Sequence, residues 1–159
     1  MLDPKPSRIL ASSKKMADIH GVRLLVFRIA DLACAVEVAA VREIAAAPHA
    51  TRIPGAGGAV DGLINLRGEL MPLVDGARLL GRTARPTDSS MVLLVHDDRT
   101  IGLVVDEVLD LFALPPEDLA DRDALPGVDP RLVRAVGRRG DLTFVLLDLD
   151  ALLGPILTT

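Results

Sequence analysis

From Gly21 onward, short apolar runs alternate with glycine, proline and aspartate. Residues 22–29 are β-branched and aromatic, with polar breaks at Arg23 and Arg28; a turn at Asp31-Leu32 leads to 33–38 as the hairpin partner. The stretch 39–47 is ambiguous. Its alanines favour helix, yet Val41, Glu43 and Ala45 share one face of an extended chain, which predicts a short helical turn followed by a strand. Residues 63–66, a turn at Arg67-Gly68-Glu69 and residues 70–74 read as strand, turn and strand. Pro72 cannot donate to a ladder, so the outgoing strand is expected at an edge or a bulge. Residues 77–81 form one helical turn closed by Gly81. A buried strand over 91–95 passes through a hairpin at 96–100 into one long return strand, 101–111. An acidic loop over 117–130 follows, and a last hairpin joins 132–136 to 142–147. Asp148 then caps a short helix that stops at Gly154-Pro155. Roughly nine or ten short strands with this punctuation predict an all-β protein made of small barrels, without a long amphipathic helix.

Composition narrows the chemistry. The chain has 159 residues and a net charge of −4, with three Phe, no Trp and no Tyr. An acidic surface with almost no aromatic rings disfavours nucleic-acid binding. Cys34 is the single cysteine, which excludes an internal disulfide. No apolar run is long enough to span a bilayer, so no membrane insertion is expected. Residues 1–20 carry four basic residues among prolines and serines and are expected to be a flexible leader; 21–155 form one domain and 156–159 a tail. A cytoplasmic protein is the expectation.

No catalytic or metal site assembles from local spacing. His20, His49 and His96 each lack a second ligand at helix or strand spacing, which makes them solvated surface histidines. The glycine-rich stretch 55–58 lacks a following Lys-Ser/Thr, and Asp121, Asp123 and Asp129 lack the calcium-loop pattern. The carboxylates at 97–98, 106–107, 148 and 150 read as solvation and capping. No enzyme, no cofactor and no metal are expected. Folding alone leaves some polar residues in apolar surroundings unexplained: Glu43, Asn65, Arg67, Asp106 and Glu107. Arg67 is either a turn residue bracing carbonyls or an anchor on a recognition surface, where arginine is enriched. Both readings stand.

Residues 62–75 (GLINLRGELMPLVD) resemble the signature G-x-x-N-L-R-G-x-x-x-P-h-h-D of the CheW family, scaffold proteins of bacterial chemosensory arrays, where h is apolar. Val41-Arg42-Glu43-Ile44 resembles that family's V-x-E-I element, 101–108 its G-h-V-V-D-x-V strand, and 145–153 its closing strand and helix; the elements occur in family order over about 22–154. The resemblance implies two intertwined SH3-like five-stranded β-barrels with short helical turns. It implies a non-catalytic adaptor, recruited to receptor arrays, that couples the cytoplasmic tip of methyl-accepting chemoreceptors to the regulatory domain of the histidine kinase CheA. Carried over by motif position, the receptor-binding residues are Val41, Glu43, Gly62, Arg67, Val104, Val105 and Val108. The rim at Leu66, Arg67, Gly68 and Leu70 is the kinase-binding candidate. Gly62 has a second reading, as a position where a side chain clashes with the neighbouring strand. After the signature the chain runs Asp75-Gly76-Ala77-Arg78 where the family often has D-L-R. That departure, with the loss of aromatics, raises the alternative of a receptor-binding protein of a non-flagellar pathway that does not engage the kinase.

Overall fold

A computed structural model describes residues 21–48, 58–82, 88–120 and 127–157. The expected leader over 1–20 lies outside these residues, as do His20, His49, residues 55–57, Asp121 and Asp123.

Eleven strands occur among the described residues: β1 (Val22–Ile29), β2 (Leu32–Glu37), β3 (Val41–Ala46), β4 (Val60–Leu66), β5 (Glu69–Asp75), β6 (Ser90–His96), β7 (Arg99–Val105), β8 (Glu107–Leu114), β9 (Leu119–Ala120), β10 (Val133–Arg139) and β11 (Leu142–Leu147). Two helices accompany them, α1 (Gly76–Leu79) and α2 (Leu149–Leu157). One sheet has the order β8-β1-β2-β11-β10-β9 and the other β3-β6-β7-β5-β4. The chain therefore begins the first sheet, builds the whole second sheet, and returns to finish the first.

Side-chain alternation explains why the central strands read as unbroken apolar runs. In β1, Leu25, Phe27 and Ile29 face one core while Leu24 and Val26 face another. In β6, Val92 and Leu94 join that first core and Met91 and Leu93 a third. The first core is shared: each sheet buries one face against the other and closes the opposite face over its own interior. Strands buried on both sides need no polar alternation.

Four expectations change. The run 101–111 is two strands, not one. It breaks at Asp106, where the chain leaves the second sheet for the first, and Arg28 braces the crossing: its Nη1 donates to Asp106 Oδ2 at 2.9 Å and its Nε to Glu107 Oε1 at 3.1 Å. The carboxylates expected within one strand, Asp106 and Glu107, mark the passage between sheets. Second, β5 is an interior strand, paired with β4 and β7. Its ladder with β7 starts only at Leu73, so at Pro72 there is one neighbour rather than two and the missing N–H is tolerated. Third, α2 runs through Pro155 to Leu157 because Ile156 and Leu157 pack against the shared core, and Arg99 Nη1 donates to the Leu157 carbonyl at its end. Fourth, the acidic loop contains a two-residue strand, Leu119–Ala120, which pairs with β10 and gives the first sheet six strands. The short helical turn before β3 is present, at Val38–Ala40.

Candidate protein-docking surfaces

The signature at 62–75 is largely a set of backbone devices. Arg67 and Gly68 form the two-residue turn between β4 and β5, with φ of 51° and 86°. Two positive φ angles are what such a hairpin turn requires, and glycine fills the second at no steric cost. The Gly68 N–H donates to Asn65 Oδ1 at 3.0 Å and fixes the turn. Asp75 caps α1, accepting from the Ala77 N–H at 3.0 Å and from Arg78 Nε at 3.1 Å, which satisfies its buried carboxylate. Gly62 sits at a register shift opposite β5 with φ 153°, a bulge conformation that side chains rarely adopt. These four positions are accounted for by folding.

Arg67 is not. Its side chain is 63% exposed and pairs with Glu43 of β3. Beside this pair, Arg42 Nη1 donates to Glu69 Oε1 at 2.8 Å; the Glu69 carboxylate is the first cause that raises the Arg42 pKa above its usual value. Consecutive residues of β3 reach the same hairpin because the register with β6 shifts between Val41 and Glu43. The two pairs, with charges in opposite order, tie the edge strand β3 to the β4–β5 hairpin and help close the second sheet into a barrel. Glu43 and Arg67, separately expected to be recognition residues, are thus one local constellation.

Other expected residues lie elsewhere. Val104 and Val105 are 2% and 1% exposed; Val104 fills the interior of the second barrel and Val105 the shared core. Their side chains present no surface, because β7 is covered on both faces. Val41 and Val108 are half-buried against the shared core, Leu66 packs partly into the second barrel, and Gly62 is buried. Gly68 and Leu70 are exposed, Leu70 at 66%.

Among the described residues the exposed large apolar side chains are Ile44, Leu63, Leu70, Val95, Leu109 and Leu111. On the outer face of the second barrel, Leu63 lies opposite Pro72 and Asn65 opposite Leu70, which puts two exposed leucines beside the signature turn. Two of these side chains stand at the edges of the shared core, one on the end strand of each sheet. Ile44, 45% exposed, lies opposite Val92 of that core, and Leu111, 49% exposed, opposite Leu25. Ile44 and Leu111 are exposed apolar candidates that the sequence reading did not name as site residues. Ile44 could have been found from the V-x-E-I element that contains it; Leu111 carries no local signal, since its position depends on the β7–β8 break. Contiguous apolar patches rimmed by charges mark protein-docking surfaces, and these side chains are the candidates for such patches.

The family model for the CheW-like domain matches residues 23–155. The chain belongs to the CheW family. It is 39% identical over 111 residues to the chemotaxis protein CheW of Rhizobium meliloti (strain 1021), covering 69% of this chain and 68% of that protein. It is 33% identical over 94 residues to Protein PilI of Pseudomonas aeruginosa, covering 58% and 52% of the two chains. A solved relative, the scaffolding protein TtCheW of Thermoanaerobacter tengcongensis, superposes with a TM-score of 0.75 at 22% identity over 80% of this chain and 89% of that one. The likeness shows the CheW fold of two SH3-like β-barrels, and the family role is that of a chemotaxis scaffold or adaptor. No helix among the described residues is long and apolar enough to cross a membrane.

Proposed function

We propose that this chain is a non-catalytic cytoplasmic adaptor that couples the tip of a methyl-accepting chemoreceptor to the histidine kinase CheA. The observation that carries the reading is that exposed apolar side chains stand on both barrels, which are joined through one shared core. Val41, Ile44, Val108 and Leu111 extend the shared core to the surface and suit the apolar anchors of a receptor helical hairpin, with Glu43 and Arg67 as polar orienting groups. Leu63 and Leu70, beside Leu66 and Gly68, supply a second face for the kinase regulatory domain, and Arg67 borders both faces. The rigid unit between the faces allows both partners to be held at once. Val104 and Val105 support the groove from beneath rather than touch the receptor.

Binding of a receptor cytoplasmic-tip fragment and of the CheA regulatory domain, measured separately by calorimetry on surface variants, tests this assignment. Leu111→Asp should abolish receptor binding and spare the kinase, and Leu70→Asp should do the reverse. Loss of both on either variant, with the fold intact, contradicts two separate faces. The similarity to PilI and the sequence Asp75-Gly76-Ala77-Arg78 favour a second reading, a receptor-binding protein of a different pathway that leaves the kinase unbound. In that case the kinase domain gives no heat at all.

A further inference from the structure

We propose that His96, Asp97 and Asp150 form a binding site for a divalent transition-metal ion, zinc in the first instance, that cross-braces the two barrels. His96 ends β6, Asp97 follows it in the β6–β7 turn, and Asp150 lies in the first turn of α2. The His96 Nε2 is 3.0 Å from Asp150 Oδ1 and 3.5 Å from Asp97 Oδ2, and the three candidate ligand atoms lie within 4.8 Å of one another. Three ligand-type atoms from two elements thus converge on one point, an imidazole nitrogen and two carboxylate oxygens, which is a donor set that a divalent cation can take up. Metal–ligand bonds of about 2.0–2.2 Å at tetrahedral to octahedral angles separate neighbouring nitrogen and oxygen ligands by about 2.9–3.5 Å; both distances from His96 fall in that range, and the two exposed carboxylates, within 4.8 Å of each other, close on the ion by side-chain rotation.

The surroundings suit such an ion. The His96 side chain is only 14% exposed, so packing holds the ring, whereas the two carboxylates are 84% and 87% exposed and leave coordination positions open to water. The site opens on a cleft of about 560 Å³ lined by both barrels. Other charges in the cleft are already engaged: Arg134 with Glu37 at 2.6 Å, and Asp148 with the Ala151 N–H at 3.2 Å. Among the described residues, neither Asp97 nor Asp150 meets an arginine. A mixed imidazole–carboxylate set selects ions such as zinc, nickel or copper over magnesium.

The consequence is mechanical. Asp97 and His96 belong to the second barrel and Asp150 to the helix that follows β11 of the first. Arg99, from the same β6–β7 hairpin, already grips the far end of α2 through the Leu157 carbonyl. A metal at the near end clamps the helix at both ends and fixes one barrel against the other. The spacing rule applied to the sequence could not see this site, because the third ligand comes from a distant element.

Zinc titration of the metal-free full-length chain tests the proposal. Calorimetry should show one ion per chain. At a free zinc concentration 100-fold above the dissociation constant, the melting temperature should rise by about 5–10 °C. His96→Gln and Asp150→Asn should each weaken binding about tenfold or more. Asp97→Asn, at an exposed position, provides a variant that leaves packing untouched and should weaken binding as well. X-ray absorption of the zinc-loaded chain should give one nitrogen among oxygens at about 2.0–2.2 Å. Absence of saturable binding overturns the site, and so does binding that the His96→Gln variant retains in full.

Discussion

Arg67→Ala separates a docking role from a folding role, because the structure fixes how much the residue contributes to each. The Arg67 and Glu43 side chains are 63% and 33% exposed. An ion pair at such a surface contributes about 0.2–1 kcal/mol after screening and side-chain entropy. In a chain of this length 1 kcal/mol moves the melting temperature by about 2–4 °C, so Arg67→Ala should melt no more than a few degrees below the parent. Alanine keeps the turn, since Gly68 N–H still bonds to Asn65 Oδ1. Arg67→Gly is the matched control. It removes the same guanidinium while relieving the positive φ of 51°, and should be about as stable as the parent. If Arg67 is an anchor for a partner, both variants lose about 2 kcal/mol or more of binding, a drop of about 30-fold in affinity by calorimetry. A Glu43→Ala, Arg67→Ala double-mutant cycle then reports whether the two act as a unit. The reasoning is refuted if Arg67→Ala melts more than about 10 °C lower, which assigns the residue to the fold. Unchanged affinity for both partners in two well-folded variants refutes it equally.

Three further outcomes follow from the packing. Phe27→Ala, in the core shared by the sheets, should cost about 3–5 kcal/mol in urea denaturation, and circular dichroism should still show one transition because neither barrel keeps its buried face alone. Gly76→Ala should destabilise by about 1–3 kcal/mol, since an added Cβ would lie 2.5 Å from the Val104 carbonyl oxygen, a backbone atom that cannot swing away. Burial pushes the Cys34 thiol up to about 12 from an ordinary 9.0, so a thiol reagent should leave the native chain untouched at neutral pH and label it only on unfolding. The same shift gives a sign for pH dependence: above pH 9.0 the unfolded chain sheds a proton that the native chain keeps, so this contribution to stability falls as pH climbs toward 12.

What could be read from the residues was local. The N-L-R-G turn and the cap at Asp148 have short-range causes in glycine conformation and side-chain capping, the helical turn before β3 has its own in the alanines at 39 and 40, and all three sit where the pattern puts them. Errors came where a distant contact overrides a local preference. Residues 101–111 are apolar enough for one strand, but the break at Asp106 depends on Arg28, which lies far away in sequence. Pro155 stops a helix on propensity alone, yet Ile156 and Leu157 gain enough by packing to carry α2 past it. Burial on both faces of β7 was not deducible either: valines at 104 and 105 look equally suited to a groove or a core until the second sheet is in place. The same limit hid the candidate site. The Glu43–Arg67 pair exists because β3 meets the β4–β5 hairpin across the barrel, and no spacing rule along the chain encodes that closure.

Reconstitution with a receptor cytoplasmic fragment and CheA is the most direct measurement of the adaptor role. Adding the full-length chain should produce a ternary complex on size exclusion and raise kinase autophosphorylation above the level of receptor and kinase alone. A receptor–kinase mixture whose elution and phosphorylation rate stay unchanged on adding folded chain at micromolar concentration contradicts the account.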